Sequence, residues 1–345
     1  MPLPTAIPSG TPELREAGVG LRLPPGFRAQ VLLSGLANPT ALALDSRREL
    51  YVALEDGRIL KGRDADGDGF PETTALFASG FRAPLGLAFQ GDALYVSSRG
   101  KVSVLRDSDG DGRPEASQAI IAGLPGGNHQ NNGPAFGPDG KLYLPLGSTC
   151  NACLEADPRS ATVMRYNADG SGEEVYARGL RNVYQLAFHP EDGTLWGADN
   201  GRDDRGFTVP EELNLIVGGG HYGWPACWGS GQGDNCPGTV PPVAELEPRS
   251  SADGIVFYTG AQFPSEYRLN LFLTLYGAHS RATGMKLVRA VLSRGPDGRY
   301  RAAVSDFALG FDRPLPLVVG PDGSLLVGDY GRGIIYRIFY AGRSG

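Results

Sequence analysis

Short apolar runs, separated by Gly, Pro, Asp and Asn turns, recur along the whole chain. The repeating unit is a strand, a tight turn and a second strand. It reads Ala41-Leu42-Ala43-Leu44, then Glu49-Leu50-Tyr51-Val52-Ala53. It returns as Leu87-Ala88-Phe89 with Ala93-Leu94-Tyr95-Val96, as Ala135-Phe136 with Lys141-Leu142-Tyr143-Leu144, and as Leu186-Ala187-Phe188 with Thr194-Leu195-Trp196. A late copy joins Val318-Val319 to Ser324-Leu325-Leu326-Val327 across Gly320-Pro321-Asp322-Gly323, and a weaker one runs from Gly254 to Tyr258 and on to Leu271-Phe272-Leu273. The first four copies lie roughly 45–50 residues apart, the length of a four-stranded propeller blade; the later ones leave room for inserted loops. Six copies in 345 residues predict an all-β fold, a six-bladed β-propeller of four-stranded antiparallel blades. The whole chain, 1–345, reads as a single domain in which 1–20 form a disordered or peripheral lead-in. Phe27 to Leu33 is predicted to supply a strand to the last blade and close the ring, which removes the open sheet edges. Helix signals are weak throughout.

Composition agrees with many hairpins: Gly (51) and Pro (27) exceed a fifth of the chain, against an average near ~12%, and they fall at the turns. With 32 basic and 38 acidic residues the formal charge is −6. No Lys/Arg stripe appears, which argues against nucleic acid as a partner. No apolar run approaches the ~20 residues of a membrane span. Met1 to Gly10 lacks a charged segment and a long apolar core, so a removed signal preceding Met1-Pro2-Leu3-Pro4 is the expectation. The four Cys form two local pairs, Cys150/Cys153 and Cys227/Cys236. Two loop-closing disulfides in an oxidising compartment, a zinc site or free thiols remain open; only one CxxC hook is present.

Several segments carry candidate chemistry. Two acidic loops occupy the same place in successive repeats: Asp64, Asp66, Asp68 and Glu72 in one, Asp107, Asp109, Asp111 and Glu115 in the other. Alternate carboxylates on a Gly turn suit calcium, while Asp-Gly is equally a solvated hairpin turn. Glu stands at loop position 9, whereas an EF-hand has it at about position 12. His129, in Gly126-Gly127-Asn128-His129-Gln130-Asn131-Asn132-Gly133, precedes a strand of the third copy, where a loop opens onto the channel; histidine is the natural general base near neutral pH. His189 reads as structural. Arg181 and Asn182 precede the fourth copy. Asn200-Gly201-Arg202-Asp203-Asp204, Glu211-Glu212 and His221-Tyr222-Gly223-Trp224-Pro225 follow it, a dense set of oxygen donors. Arg281, in Tyr276-Gly277-Ala278-His279-Ser280-Arg281, and Arg313 flank other inner strands, so Arg181, Arg281 and Arg313 can converge on one channel mouth.

Taken together these segments resemble the glucose/sorbosone dehydrogenase family, the soluble quinoprotein sugar dehydrogenases, from about Leu23 to Ile338. The likeness is closest to the L-sorbosone dehydrogenase branch, through Gly133 to Gly147, Arg178 to Asn182, Ala198 to Pro225 and Tyr258 to Arg281. The resemblance implies pyrroloquinoline quinone (PQQ) and calcium as cofactors and an aldose or sugar aldehyde as substrate. It makes His129 the general base, removing a proton while hydride passes to the quinone. Arg181 and Asn182 would contact the quinone, with Arg181 polarising its carbonyl. Backbone carbonyls of Asn200, Gly201 and Arg202 would hold the active-site calcium, and Glu212 and Tyr222, with Glu211 nearby, a second calcium. Arg281 and Arg313 would hold the quinone carboxylates. The chain departs from the family at Asn128, where Asp is frequent, and at Tyr276 to Arg281, where the sorbosone branch has His-Gly-Ser-Trp-Asn-Arg. The rival readings are a calcium-dependent propeller lactonase and a non-catalytic binding module. Cys153 is followed by Leu154, so no haem-attachment motif is present; the expected electron acceptor is a separate cytochrome or quinone, and the expected location periplasmic or secreted.

Overall fold

The computed structural model describes residues 13–233, 236–278 and 283–342. Six four-stranded antiparallel blades follow one another. Blade I comprises Pro39–Leu44, Leu50–Leu54, Ile59–Arg63 and Thr73–Ala78. Blade II comprises Gly86–Gln90, Ala93–Ser98, Lys101–Arg106 and Ala116–Ala122; blade III comprises Ala135–Phe136, Leu142–Leu146, Thr162–Tyr166 and Glu174–Arg178. Blade IV takes Val183–Phe188, Leu195–Asp199, Glu211–Ile216 and Ala244–Leu246; blade V takes Ala252–Phe257, Leu271–Leu275, Lys286–Arg294 and Tyr300–Leu309. Blade VI is built from Pro314–Val319, Leu325–Asp329 and Ile334–Tyr340, completed by Phe27–Leu33 from the other end of the chain. This closing pair runs from Phe27 opposite Tyr340 to Leu33 opposite Ile335, as the apolar segment predicts. Arg15–Glu16 and Arg22–Leu23 extend the outer edge of blade V, with Ala17, Leu21 and Leu23 buried.

The second strand of every blade is buried at every residue. Alternate side chains of a strand point to opposite faces, and here both faces meet a neighbouring blade. That is why these strands read as continuous apolar runs, whereas an outer strand such as Ala116–Ala122 is mostly exposed. Six apolar clusters sit between successive blades, one per interface. Among the described residues no helix is long and apolar enough to cross a membrane.

Antiparallel connectivity sorts the loops. Each link from an outer strand to the next inner strand, and each turn from second to third strand, emerges at one end of the propeller. The other hairpins emerge at the opposite end. His129, Arg181, Asn182, Asn200 and Arg313 therefore share one end, and the two acidic loops lie at the other. Asp64, Asp66, Asp68 and Glu72 bring ligand oxygens within 4.8 Å of one another, as do Asp107, Asp109 and Asp111, while Glu115 turns to the Ser108 and Asp109 amides. Each loop is also bonded by its own backbone amides: Asp64 accepts from Gly67 and Gly69, and Asp107 from Gly112. Both Cys pairs are disulfides, Cys150–Cys153 and Cys227–Cys236. The second closes the insertion 217–243 of blade IV. That insertion reaches the His129 end, where Pro225 O accepts from Arg202 and Trp224 Nε1 donates to Asn151 O.

Candidate active site at the channel mouth

A cavity of about 320 Å³ opens at the His129 end. Blade III supplies His129 through a short ladder between two loops. Asn128 N donates to Thr149 O, His129 N to Ser148 O, and Gly147 N to Gln130 O. Across the cavity Tyr184, from the inner strand of blade IV, reaches Thr40 O of blade I at 2.8 Å. Its ring forms part of the cavity lining, and burial holds its phenol well above the usual range.

His129 Nδ1 lies 3.0 Å from Ser148 O and 2.9 Å from Ser148 Oγ. A carbonyl only accepts, so Nδ1 carries the proton and Nε2 presents a lone pair. Burial, and then the charge of Arg181, lower the imidazole to about 4. His129 is thus a neutral base with Nε2 free of protein partners among the described residues. Gly147 makes this arrangement possible. A Cβ there would stand 2.4 Å from His129 Cβ and 2.8 Å from Asn182 Oδ1. Gly147→Ala is expected to displace both side chains and cut activity at least tenfold with the fold intact, checked by kinetics beside circular dichroism; unchanged kinetics would mean the imidazole can shift freely.

Arg181 is 5% exposed. Its Nε donates to Asn151 O (3.0 Å), one Nη2–H to Asn151 Oδ1 (2.9 Å), the other to Asp203 (3.0 Å), and Nη1 to Asn200 O (3.3 Å). One Nη1–H remains. The guanidinium is thereby fixed, without itself lining the cavity; its neighbour Asn182 does line it and accepts from Asn132 Nδ2 at 2.8 Å. Asp199 holds this turn by accepting from the backbone N–H of Arg181 and Asn182.

Asn200 donates to Asp253 Oδ1 at 3.0 Å, and Ser251 Oγ to Asp253 Oδ2 at 3.0 Å. Glu211 accepts from Gly201 N (2.5 Å) and Ser251 N (3.1 Å). Glu212 turns elsewhere, to Gly229 N and Asn214 Nδ2. The Tyr222 hydroxyl donates to Leu215 O and accepts from Val217 N, so no hydrogen bond joins Tyr222 to Glu212. The Arg202 side chain points outward, to Asp204 and over the Trp228 ring, leaving only its backbone at the turn. Burial raises Asp199 to about 6, Asp253 to about 7, and Glu211 and Glu212 to about 8. Arg313 Nη1 donates to the Tyr276 hydroxyl at 3.0 Å, and Tyr330 donates to Glu55 at 2.6 Å; both tyrosines, Glu55 and Arg99 line the mouth. Arg281 lies outside the described residues. Ser148, Asn151, Asp253 and Tyr330 form no sequence motif. The one signal they offer is position, since each lies at the same end of the blades as His129, beside or just beyond an inner or second strand.

Fold and site together define a six-bladed β-propeller carrying a polar cavity with a neutral histidine at one channel mouth. The chain belongs to the family described as Domain of unknown function (DUF7133), which matches residues 20–337. It is 26% identical over 354 residues to an uncharacterized protein of Borreliella burgdorferi, covering 93% of this chain and 91% of that one. It is 29% identical over 139 residues to quinoprotein glucose dehydrogenase B of Acinetobacter calcoaceticus, a match spanning 31% of this chain and 28% of that protein. Among solved structures, a putative oxidoreductase (glucose dehydrogenase) from Thermus thermophilus superimposes with a TM-score of 0.74 at 27% identity, covering 91% of this chain and 100% of that one.

Proposed function

We propose that this protein is a PQQ-dependent dehydrogenase that oxidises an aldose or sugar aldehyde, with His129 as general base. The observation that carries the reading is the locked tautomer of His129, whose bare Nε2 faces a polar cavity. Similarity to a quinoprotein glucose dehydrogenase and to a putative glucose dehydrogenase supports it.

The residues fit the cofactors. PQQ is a planar tricarboxylate, and the mouth offers Arg99 and the rings of Tyr276 and Tyr330, with Arg313 held against the Tyr276 hydroxyl. Gln130 Oε1, on a residue lining the cavity, and Asn200 Oδ1 are buried without partners. Five carboxylates are buried on this side: Asp329, which pairs with Arg332, and Asp199, Glu211, Glu212 and Asp253, against one buried cation, Arg181, which Asp203 already pairs. Burial favours the neutral form of these acids, a bound cation would favour the ionised form, and an all-oxygen donor set suits calcium. The backbone carbonyls of Gly201 and Arg202, beside Glu211, would hold one ion, and Glu212 a second.

Bound PQQ would supply the hydride acceptor. His129 Nε2 takes the proton from the anomeric hydroxyl, or from an aldehyde hydrate, and Ser148 keeps the ring oriented while it does so. Arg181, with one N–H left and its position fixed, stabilises negative charge developing beside Asn182. Asn128, exposed at the mouth, offers its amide to sugar hydroxyls, whereas the amide nitrogens of Gln130 and Asn132 are committed to Ala83 O and to Asn182 and Val183. The two disulfides support a periplasmic or secreted location, and electrons leave to a separate acceptor.

The test is dye reduction by purified protein, with and without PQQ and Ca²⁺, across aldoses and sugar aldehydes. Cofactor-dependent reduction is expected; no reduction together with no quinone binding would overturn the reading. Because His129 titrates near 4, the base stays unprotonated across neutral pH. The profile of kcat/KM is expected to show no inflection near ~6.5, the ordinary histidine value, and to fall only below about pH 5. Calcium at ~100-fold its Kd is expected to stabilise the fold by about 2.7 kcal/mol, reversed by chelator and measured by thermal melting.

A further inference from the structure

The loop that closes over Arg181 and His129 contains the Cys150–Cys153 disulfide, and the two residues between those cysteines are Asn151 and Ala152. Asn151 is a hub. Its backbone oxygen accepts from Arg181 Nε at 3.0 Å and Trp224 Nε1 at 3.2 Å; its side-chain oxygen accepts from Arg181 Nη2 and Asp203 N, each at 2.9 Å. Its Nδ2 donates to Asp204 at 3.2 Å. One residue thus supplies two of the four acceptors that fix the guanidinium. Next to it, Cys150 O accepts from Ser148 Oγ at 2.7 Å, which turns that hydroxyl's lone pairs toward His129 Nδ1 at 2.9 Å. Glu155 anchors the same loop by accepting from Thr149 N and Thr149 Oγ1 at 2.7 and 2.6 Å.

A half-buried asparagine peptide held only by hydrogen bonds still has backbone freedom to lose, and ordering it costs roughly 1–2 kcal/mol per residue. A disulfide between residues three apart removes that freedom within a four-residue ring. So small a ring constrains the unfolded chain less than a longer loop would, and the cores of the propeller lie elsewhere, between the blades. The ring's constraint falls instead on the directions of two carbonyls and one amide, and those groups orient the candidate base and the candidate cation.

We infer that the Cys150–Cys153 hairpin is the positioning element of this site, with Asn151 a positioning residue for Arg181 and the Cys150 carbonyl, through Ser148, one for His129. The inference deepens the proposed dehydrogenase reading and rests on it for the roles of His129 and Arg181.

The test needs no cofactor. The protein is labelled with ¹⁵N, and the imidazole signals of His129 and the Nε–H signal of Arg181 are followed in the wild type, Asn151→Ala and the double variant Cys150→Ser/Cys153→Ser. The Arg181 signal is expected to shift or exchange away in Asn151→Ala. The His129 signals are expected to shift or broaden in the cysteine variant. His189, buried at the other end of the propeller, should not move and reports an intact fold. Asn151→Asp keeps the acceptor oxygens toward Arg181 but loses the Nδ2 bond to Asp204, and is expected to restore the Arg181 signal in part; it also serves if the alanine variant folds poorly. Wild-type signals for both residues in both variants would overturn the inference. Quinone titration then adds the functional arm. Asn151→Ala is expected to weaken binding about tenfold, and the double variant Asn151→Ala/Arg181→Ala to bind no more weakly than Arg181→Ala alone, since residues acting through one another are not additive. Fully additive losses would overturn Asn151 as acting through Arg181. If wild type binds no quinone, the dehydrogenase reading fails, while the spectra still decide whether the hairpin positions these side chains.

Discussion

Replacing His129 with alanine is expected to lower turnover about 10²- to 10⁴-fold, the range of a general base, with quinone binding changed only a few-fold. The size of the effect follows from how completely the surroundings prepare this ring. Ser148 O dictates the tautomer, Ser148 Oγ is itself held by Cys150 O, and Gly147 allows the loop to pass without a side chain. Burial and Arg181 keep the imidazole unprotonated. A water filling the vacated space would have none of these constraints and a far weaker basicity. Quinone affinity is expected to survive because the groups suited to its carboxylates, Arg99 and Arg313, come from blades II and VI and do not depend on His129. Steady-state dye reduction beside quinone titration separates the two effects. Wild-type turnover in His129→Ala would remove the histidine from the mechanism, and loss of quinone binding with it would make His129 a binding residue.

Replacing Phe27 with alanine is expected to cost about 3–5 kcal/mol of folding stability, the range for emptying a core aromatic site. Phe27 begins the strand that closes the ring and is 2% exposed. Its ring contacts Phe263, Tyr267, Phe307 and Tyr340 at centroid distances of 4.8 to 5.1 Å, all edge-to-face, a geometry that adds to plain burial. Those partners belong to blades V and VI, so the lost contacts loosen the interface that holds the ring shut. Gly26, just before it, takes φ +92°, and a Cβ there would meet the Tyr340 ring at 2.5 Å, so the backbone has little room to collapse into the void. Guanidinium chloride unfolding measures the cost; a loss below about 1 kcal/mol would show that the closing strand is held by its ladder alone.

The propeller was legible because its signal is repeated. Leu50–Leu54 and Leu325–Asp329 are both short, apolar and bounded by Asp-Gly or Gly turns, and each repeat adds to the same reading. Even the closing strand Phe27–Leu33 stood out as an apolar segment with no partner nearby in the chain. Blade III shows the limit: its inner strand is only Ala135–Phe136, because the His129 loop takes up the preceding residues. The site was legible in part. His129, Arg181, Asn182, Asn200 and Arg313 could be placed on one end, since blade connectivity fixes which loops share it. What they touch could not be read. Arg181 is bound to Asn151, from another blade, and Glu211 clamps Gly201 to Ser251 of the next blade; neither contact leaves a spacing or a composition in the sequence. Ser148 looks like any loop serine until the fold brings it against the imidazole.

The closing strand pair also sets how the molecule would respond to tension. Phe27 faces Tyr340 and Leu33 faces Ile335, so the two outward-leading ends of the pair lie side by side at one edge. Pulling on them loads the ladder one rung at a time, a zipper rather than a lap joint. Once Arg15–Glu16 and Arg22–Leu23 peel from blade V, the ring would open at this seam under low force while the other five blades stayed folded. Tethering both ends of the chain to a surface would therefore open this blade first, whereas a single tether would leave the ring untouched.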